Sequence, residues 1–171
     1  MRRYSIKEDE EFPDEKYSSF IKETLVPRAR KKALDILGRA DCSESELRRK
    51  LALKNYPADV IEDAVNYVKK FNYLNDKRYA ENYLNYRGKS KSLRQVKMEL
   101  VSKGIDEAII ENLFTDELSD EEALEKLIVK KLKNKDETDE AQIRKVYAYL
   151  YRKGFNPELI SAKLRDYFCR T

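Results

Sequence analysis

The 171-residue sequence contains no histidine and no tryptophan, and only two cysteines, four glycines and four prolines. Each shortage excludes something. Without histidine there is no Ser/His/Asp or Cys/His nucleophilic system and no His-ligated metal site. Cys42 and Cys169 lie far apart, match no metal-ligand spacing and read as free thiols in a reducing cytosol. So few turn-forming residues count against an all-β sandwich or barrel, which needs a turn roughly every 8–12 residues. No apolar run approaches the roughly 18–20 residues that span a bilayer. The start, Met1-Arg2-Arg3-Tyr4-Ser5, passes straight into Glu8-Asp9-Glu10-Glu11 with no apolar signal core between them. A cytoplasmic protein without membrane contact, cofactor or metal is the expectation.

What the sequence has in excess is charge. Charged residues make up 40% of it, against about 25% in a typical soluble domain. Its 41% hydrophobic content is enough to fold, so the chain is not simply disordered. High charge with little Gly and Pro predicts an all-α protein. The net charge is only +4, but the charges cluster. Residues 87–103 hold Arg87, Lys89, Lys91, Arg94, Lys97 and Lys103 against Glu99 alone, and residues 126–135 hold Lys126, Lys130, Lys131, Lys133 and Lys135 with no acid. Such runs suit a polyanion or, more blandly, a solvated helix face.

The chain also repeats itself. With Leu47, Val96 and Val146 as anchors, Leu51, Leu100 and Leu150 follow at four residues, and Lys54, Lys103 and Lys153 at seven. Asn55, Gly104 and Gly154 follow at eight, then Tyr56, Ile105 and Phe155 at nine. Val60-Ile61, Ile109-Ile110 and Leu159-Ile160 come next, and Val65, Phe114 and Leu164 at eighteen. An apolar spacing of four, a Gly or Asn, and a new apolar pair describe two helices joined by a tight turn. Gly104, Gly154 and Asn55 are the residue types that tolerate positive φ after a helix. Asp106 and Asn156 suit the next N-cap, Pro157 the first turn behind it, and Pro57 takes the cap position in the first copy.

Upstream, Ser43-x-x-Glu46 and Ser92-x-x-Gln95 are capping boxes, and Asp139-x-x-Gln142 is a looser one. A further helix precedes each pair: Pro27 to about Ala40, Asp76 to about Gly88, and one opened by Ser119-x-x-Glu122. The expected architecture is three tandem three-helix repeats, at 27–75, 76–115 and 116–171. Each is too small to bury its own faces well, so they are expected to stack into an elongated, curved array. Residues 1–26 form an acidic extension in which Tyr17, Phe20, Ile21 and Leu25 suit one more amphipathic helix.

Basic residues recur at matching places in this frame. Arg28, Arg30, Lys31 and Lys32 crowd the first helix, too many for one buried stripe. Arg48, Arg49 and Lys50 flank Leu47; Arg94 and Lys97 flank Val96; Arg144 and Lys145 precede Val146. With Arg87, Lys89, Lys91, Lys130 and Lys131, they are the candidate contacts for an extended anionic partner. Tyr79, Tyr83 and Tyr86 share a helix face with Ala80 and Leu84 and are expected in the core, as are Tyr147 and Phe168. Tyr149 and Tyr151 fall off the apolar stripe and suit surface contact. Gly88-Lys89-Ser90 is not the end of a P-loop, because Tyr83 stands where that motif needs a glycine.

The segment Leu74-Asn75-Asp76-Lys77-Arg78-Tyr79-Ala80, followed by Glu99-Leu100-x-x-Lys103-Gly104-Ile105, resembles the RecX family of recombinase regulators. So does Ser45-Glu46-Leu47-x-x-Lys50-Leu51, and together they bring about residues 27–168 under the resemblance. Asn75 and Asn55 depart from the family's usual Asp and Gly, and the Gly88-Lys89-Ser90-Lys91 linker is less glycine-rich. A monomer is the expectation, and the resemblance implies tandem three-helix repeats and a non-catalytic protein. It further implies binding to the RecA–DNA filament, with its single-stranded DNA, and damping of strand exchange, ATP hydrolysis and co-protease activity. Two other readings stay open: a helix-turn-helix-like module acting directly on DNA, and a helical-repeat adaptor for another protein.

Overall fold

The computed structural model describes residues 13–115, 118–132 and 140–169, which form ten α-helices and no strand. The acidic run at Glu8–Glu11, the Asp139 cap, Lys133 and Lys135 lie outside those residues. The helices are α1 (Asp14–Phe20), α2 (Val26–Arg39), α3 (Glu44–Ala52), α4 (Ala58–Lys70), α5 (Asp76–Arg87), α6 (Leu93–Ser102), α7 (Glu107–Leu113), α8 (Glu121–Leu132), α9 (Glu140–Arg152) and α10 (Pro157–Cys169). The chain divides into two compact units, Met1–Asp76 and Lys77–Thr171.

In the first unit, α1 does not stand apart as a separate helix. It runs into α2 through a π-helical turn, Ile21–Leu25, closed by the Val26 amide donating to the Ile21 carbonyl. Pro27 explains the widening. It has no N–H for the Glu23 carbonyl, and its ring would collide with that carbonyl in a regular α-helix. The extra residue in the turn relieves both problems. Ile21 is thereby buried against Ala29, Ala33, Leu47, Leu51, Val60, Ala64, Val65 and Val68, the core of α2, α3 and α4.

The second unit holds two separate apolar cores. One gathers Tyr79, Ala80, Leu84, Val96, Leu100, Ile105 and Ile110 from α5–α7. The other gathers Ala123, Leu124, Ile128, Leu132, Val146, Leu150, Phe155, Ile160 and Leu164 from α8–α10. Each three-helix repeat therefore buries an apolar cluster of its own, so the expectation that a repeat needs its neighbours for a core is corrected. The repeat anchors Leu47, Val96 and Val146 all lie in these cores, as do Leu51, Leu100 and Leu150.

Local chemistry accounts for the helix ends. Ser43 and Glu46 form the reciprocal capping box ahead of α3, and the Ser92 hydroxyl accepts from the Gln95 amide ahead of α6. Asp106 accepts from the Ala108 amide, and Asn156 from the Glu158 amide. Gly104 and Gly154 take φ of 72° and 86°, and Asn55 takes 58°. Behind them, the Ile105 and Phe155 amides donate to the Leu100 and Leu150 carbonyls, closing α6 and α9 with a buried side chain on each side of the bond. The cap of α8 departs from expectation. Asp120 is the residue whose carbonyl accepts the first helical bond, from Leu124, while the Ser119 hydroxyl accepts from Glu121 rather than Glu122.

Asp120 is not free to cap its own helix because its carboxylate is engaged elsewhere. It accepts from the Leu93 amide at the first turn of α6, at 2.6 Å. Asp76 does the same in the first unit, accepting from the Glu44 amide of α3 at 2.8 Å. An aspartate at the start of the first helix of one repeat thus satisfies an orphan amide of the middle helix before it. Burial pushes both carboxyls above their ordinary range, against the pull of the amides they accept from. Between α6 and the α9–α10 turn, the Ser92 hydroxyl adds a hydrogen bond to the Lys153 carbonyl at 2.6 Å. Hydrogen bonds to the backbone thus link the two cores of the second unit.

Candidate polyanion interface

The structure divides the candidate cations into those already neutralised and those left to solvent. In the first unit Arg30 is neutralised. Its Nε and Nη2 donate to the two Asp63 oxygens at 2.6 and 2.9 Å, and its guanidinium lies 4.8 Å from the Tyr67 ring centroid. The hydrogen bond to Asp63 raises the Arg30 pKa further. Arg48 bridges Glu44 and Glu62 at 2.8 and 2.7 Å. Burial would raise the Glu44 carboxyl, but Lys69 and Arg48 overturn that and hold it below its ordinary value. These two arginines fasten α2 and α3 to α4. Arg28, Lys31 and Arg49 are exposed, Lys32 and Lys50 are half-buried, and none of the five carries an ion pair among the described residues.

In the second unit Lys91 is taken by Glu99, which also accepts from the Tyr83 hydroxyl at 2.8 Å. Burial works to raise Glu99, and Lys91 and Tyr83 bring it below its ordinary value. Arg144 pairs with Glu140 one helical turn away, both well exposed. Arg87, Lys89, Arg94, Lys97, Lys130, Lys131 and Lys145 are exposed and carry no ion pair among the described residues. Arg87 lies against the rings of Tyr83 and Tyr86, and Lys131 against Tyr149 at 4.5 Å. Lys131 and Lys145 line one shallow groove of about 200 Å³ beside Tyr149.

The tyrosines divide differently from expectation. Tyr79 is buried and Tyr83 half-buried, but Tyr86, in the last turn of α5, is 74% exposed. Tyr149 is half-buried, packing on the α8–α10 core beneath Lys131 while lining the groove, whereas Tyr151 is 58% exposed. Tyr147 and Phe168 pack against the same core, as expected.

One concavity combines these features. A cleft of about 400 Å³ is lined by Arg94, Gln95 and Met98 of α6, with Tyr151, Arg152, Lys153 and Gly154 from the end of α9 and the turn behind it. No carboxylate among the described residues lines it. The sequence reading included Arg94 and Tyr151 but passed over Arg152 and Lys153. The repeat contained a signal for one of them, since Lys153 is the third lysine in the Lys54/Lys103/Lys153 series.

Among the described residues no helix is long and apolar enough to cross a membrane. Fold and surface together define an all-α protein of tandem three-helix repeats, with cations beside the helix turns that carry no ion pair among the described residues. Three family models match it in order: RecX, first three-helix domain, at residues 29–67; RecX, second three-helix domain, at 75–113; and RecX, third three-helix domain, at 119–164. The chain belongs to the RecX family. It is 32% identical to the regulatory protein RecX of Clostridium beijerinckii, over 94% of this chain and 78% of that one. It is 29% identical to its counterpart in Caldanaerobacter subterraneus subsp. tengcongensis, over 93% and 80%. A crystal structure of regulatory protein RecX superposes with a TM-score of 0.71 at 21% identity, covering 94% of this chain and 81% of that one. RecX from Lactobacillus salivarius superposes with 0.67 at 25% identity, covering 83% and 96%.

Proposed function

We propose that this chain is a non-catalytic, cytoplasmic regulator that binds the RecA–DNA nucleoprotein filament and lowers its recombinase, ATPase and co-protease activities. RecX family membership supports the target. The observation that carries the surface assignment is the recurrence, near the anchor of each middle helix, of cations without an ion pair among the described residues: Arg49 and Lys50, Arg94 and Lys97, and Lys145. A filament presents negative charge repeatedly along its length, and cations repeated along a tandem array suit such a partner. Arg30, Arg48, Lys91 and Arg144, being paired within the chain, have the smaller share in this reading. The test adds the purified protein to RecA assembled on single-stranded DNA and follows ATP hydrolysis. The expected result is a fall that steepens as the protein approaches filament protomers in concentration and weakens with salt. An unchanged rate at several-fold excess would overturn it.

A further inference from the structure

We infer that the cleft between α6 and the α9–α10 turn is a binding site for unpaired nucleic-acid strand, gripping backbone phosphates and stacking a base on Tyr151. The inference rests on the reading that this surface addresses a DNA-bearing filament, and it adds that the cleft holds the strand itself. Three cationic residues line the cleft, Arg94, Arg152 and Lys153, the last with its ammonium 5.8 Å from the neighbouring Tyr149 ring centroid, and none has an ion pair among the described residues. Arg152 donates its Nε to the Ala148 carbonyl at 3.3 Å, and its terminal amino groups have no hydrogen-bond partner among the described residues. Beside these charges lie two apolar side chains that the fold leaves in water, Tyr151 at 58% exposure and Met98 at 64%. Gly154 contributes no side chain to the floor.

Charge complementarity selects an anion, and the exposed ring selects among anions. An acidic peptide would satisfy the arginines but has no need of a flat aromatic surface. A single-stranded nucleic acid brings a phosphate every nucleotide and a π-face beside it, the combination that cationic grooves with exposed aromatic rings recognise. A duplex keeps its base faces stacked inside and offers the ring nothing. The site should therefore favour single strand over duplex, the reverse of what a helix-turn-helix reader would do.

The test measures anisotropy of a short fluorescein-labelled oligothymidylate titrated with the full chain in the absence of RecA. Binding is expected, weaker for the matched duplex. Tyr151→Ala should weaken it about tenfold. Arg94→Gln with Arg152→Gln should weaken it and flatten the salt slope by about two. All three side chains are exposed, so circular dichroism should be unchanged, and Lys70→Gln on α4 should behave as wild type. ATP hydrolysis by RecA filaments is followed with the same proteins. If filament inhibition persists while the oligonucleotide fails to bind, or binds independently of Tyr151 and the two arginines, the cleft inference falls and the filament reading stands. Equal displacement of the oligonucleotide and of its Tyr151→Ala complex by polyglutamate would assign the cleft to acidic peptide instead. If neither filament nor oligonucleotide responds, both readings fall.

Discussion

Replacing Gly154 by alanine tests the geometry of the second unit where the α9–α10 turn approaches α6. Gly154 has φ of 86°, and a Cβ built there lies 3.1 Å from the Ser92 hydroxyl and 3.4 Å from Arg94 Cδ. Left-handed backbone costs an L residue about 1–2 kcal/mol. The steric part adds to it, because Ser92 cannot easily retreat. Its side chain is fully buried, accepts from the Gln95 amide at 3.1 Å and donates to the Lys153 carbonyl at 2.6 Å. Moving it away loses at least one of those bonds, about 1 kcal/mol more. The sum is about 2–3 kcal/mol. In a unit of this size that lowers the melting temperature by roughly 10–20 °C. The assay is thermal unfolding by circular dichroism or calorimetry, with Asn55→Ala as the paired control. Asn55 has φ of 58° but is exposed, so its alanine meets only the backbone penalty, about 1 kcal/mol. If Gly154→Ala melts no lower than Asn55→Ala, the close approach of the α9–α10 turn to Ser92 does not constrain this position.

Asp120→Ala leaves the Leu93 amide without its acceptor and should destabilise the second unit by about 1–2 kcal/mol, whereas Asp120→Asn keeps an acceptor. Because the folded chain holds the Asp120 proton more tightly than the unfolded one, its contribution is full below the unfolded pKa and declines as pH rises through the folded one. Denaturant melts should thus find Asp120→Asn gaining on wild type toward neutral pH, the gap closing in acid; a gap that widens in acid would refute this. Arg30→Ala should destabilise the first unit by about 1 kcal/mol at low salt and less at high salt, since the Arg30 and Asp63 side chains are 38% and 37% exposed. Arg49→Glu should leave stability within about 0.5 kcal/mol yet weaken inhibition of filament ATP hydrolysis. Arg48→Glu, which faces Glu44 and Glu62, should show its main effect in the melt of the first unit.

Most of the helices were legible because their ends carry local chemistry. In ending helices, Ser43, Ser92, Asp106, Gly104 and Gly154 act through neighbours within a few residues, so those roles can be read from short windows, unlike the bond from Ser92 to the distant Lys153 carbonyl. The positive φ of Asn72 after α4 was missed, because Asn72 falls outside the repeated frame that drew attention to Asn55. The continuity of α1 with α2 was missed because Pro27 ordinarily marks a helix start, and only the π-helical turn reconciles it with an uninterrupted helix. The cap of α8 was displaced by a long-range demand, the Leu93 amide lying 27 residues before Asp120. The same distinction governs the candidate interface. That Arg48 and Arg49 differ, one bridging two carboxylates and the other facing solvent, depends on where α4 places Glu62, and adjacency in sequence cannot show it. Tyr86, expected in the core, is exposed for a related reason. Periodicity identifies a face, but the neighbouring helices decide how far along the helix that face is covered.

The position of the cleft follows from how the second unit is joined. With its two apolar cores separate, α6 meets the α9–α10 turn through the Ser92–Lys153 hydrogen bond and the bare backbone of Gly154. A large side chain at position 154 would fill the cleft floor and push Ser92 away, so the feature that permits the joint also leaves the cavity open. Arg94 stands on one wall, and Tyr151, Arg152 and Lys153 on the other. An anion bound to both walls would hold together the elements that the Ser92 bond joins. Binding and joint stability are then linked, since a ligand that requires the joined form stabilises it by mass action. Saturating oligothymidylate should raise the melting transition of the second unit while leaving that of the first where it was. Gly154→Ala, by loosening the joint, should weaken the same oligonucleotide although it removes no charge and no ring.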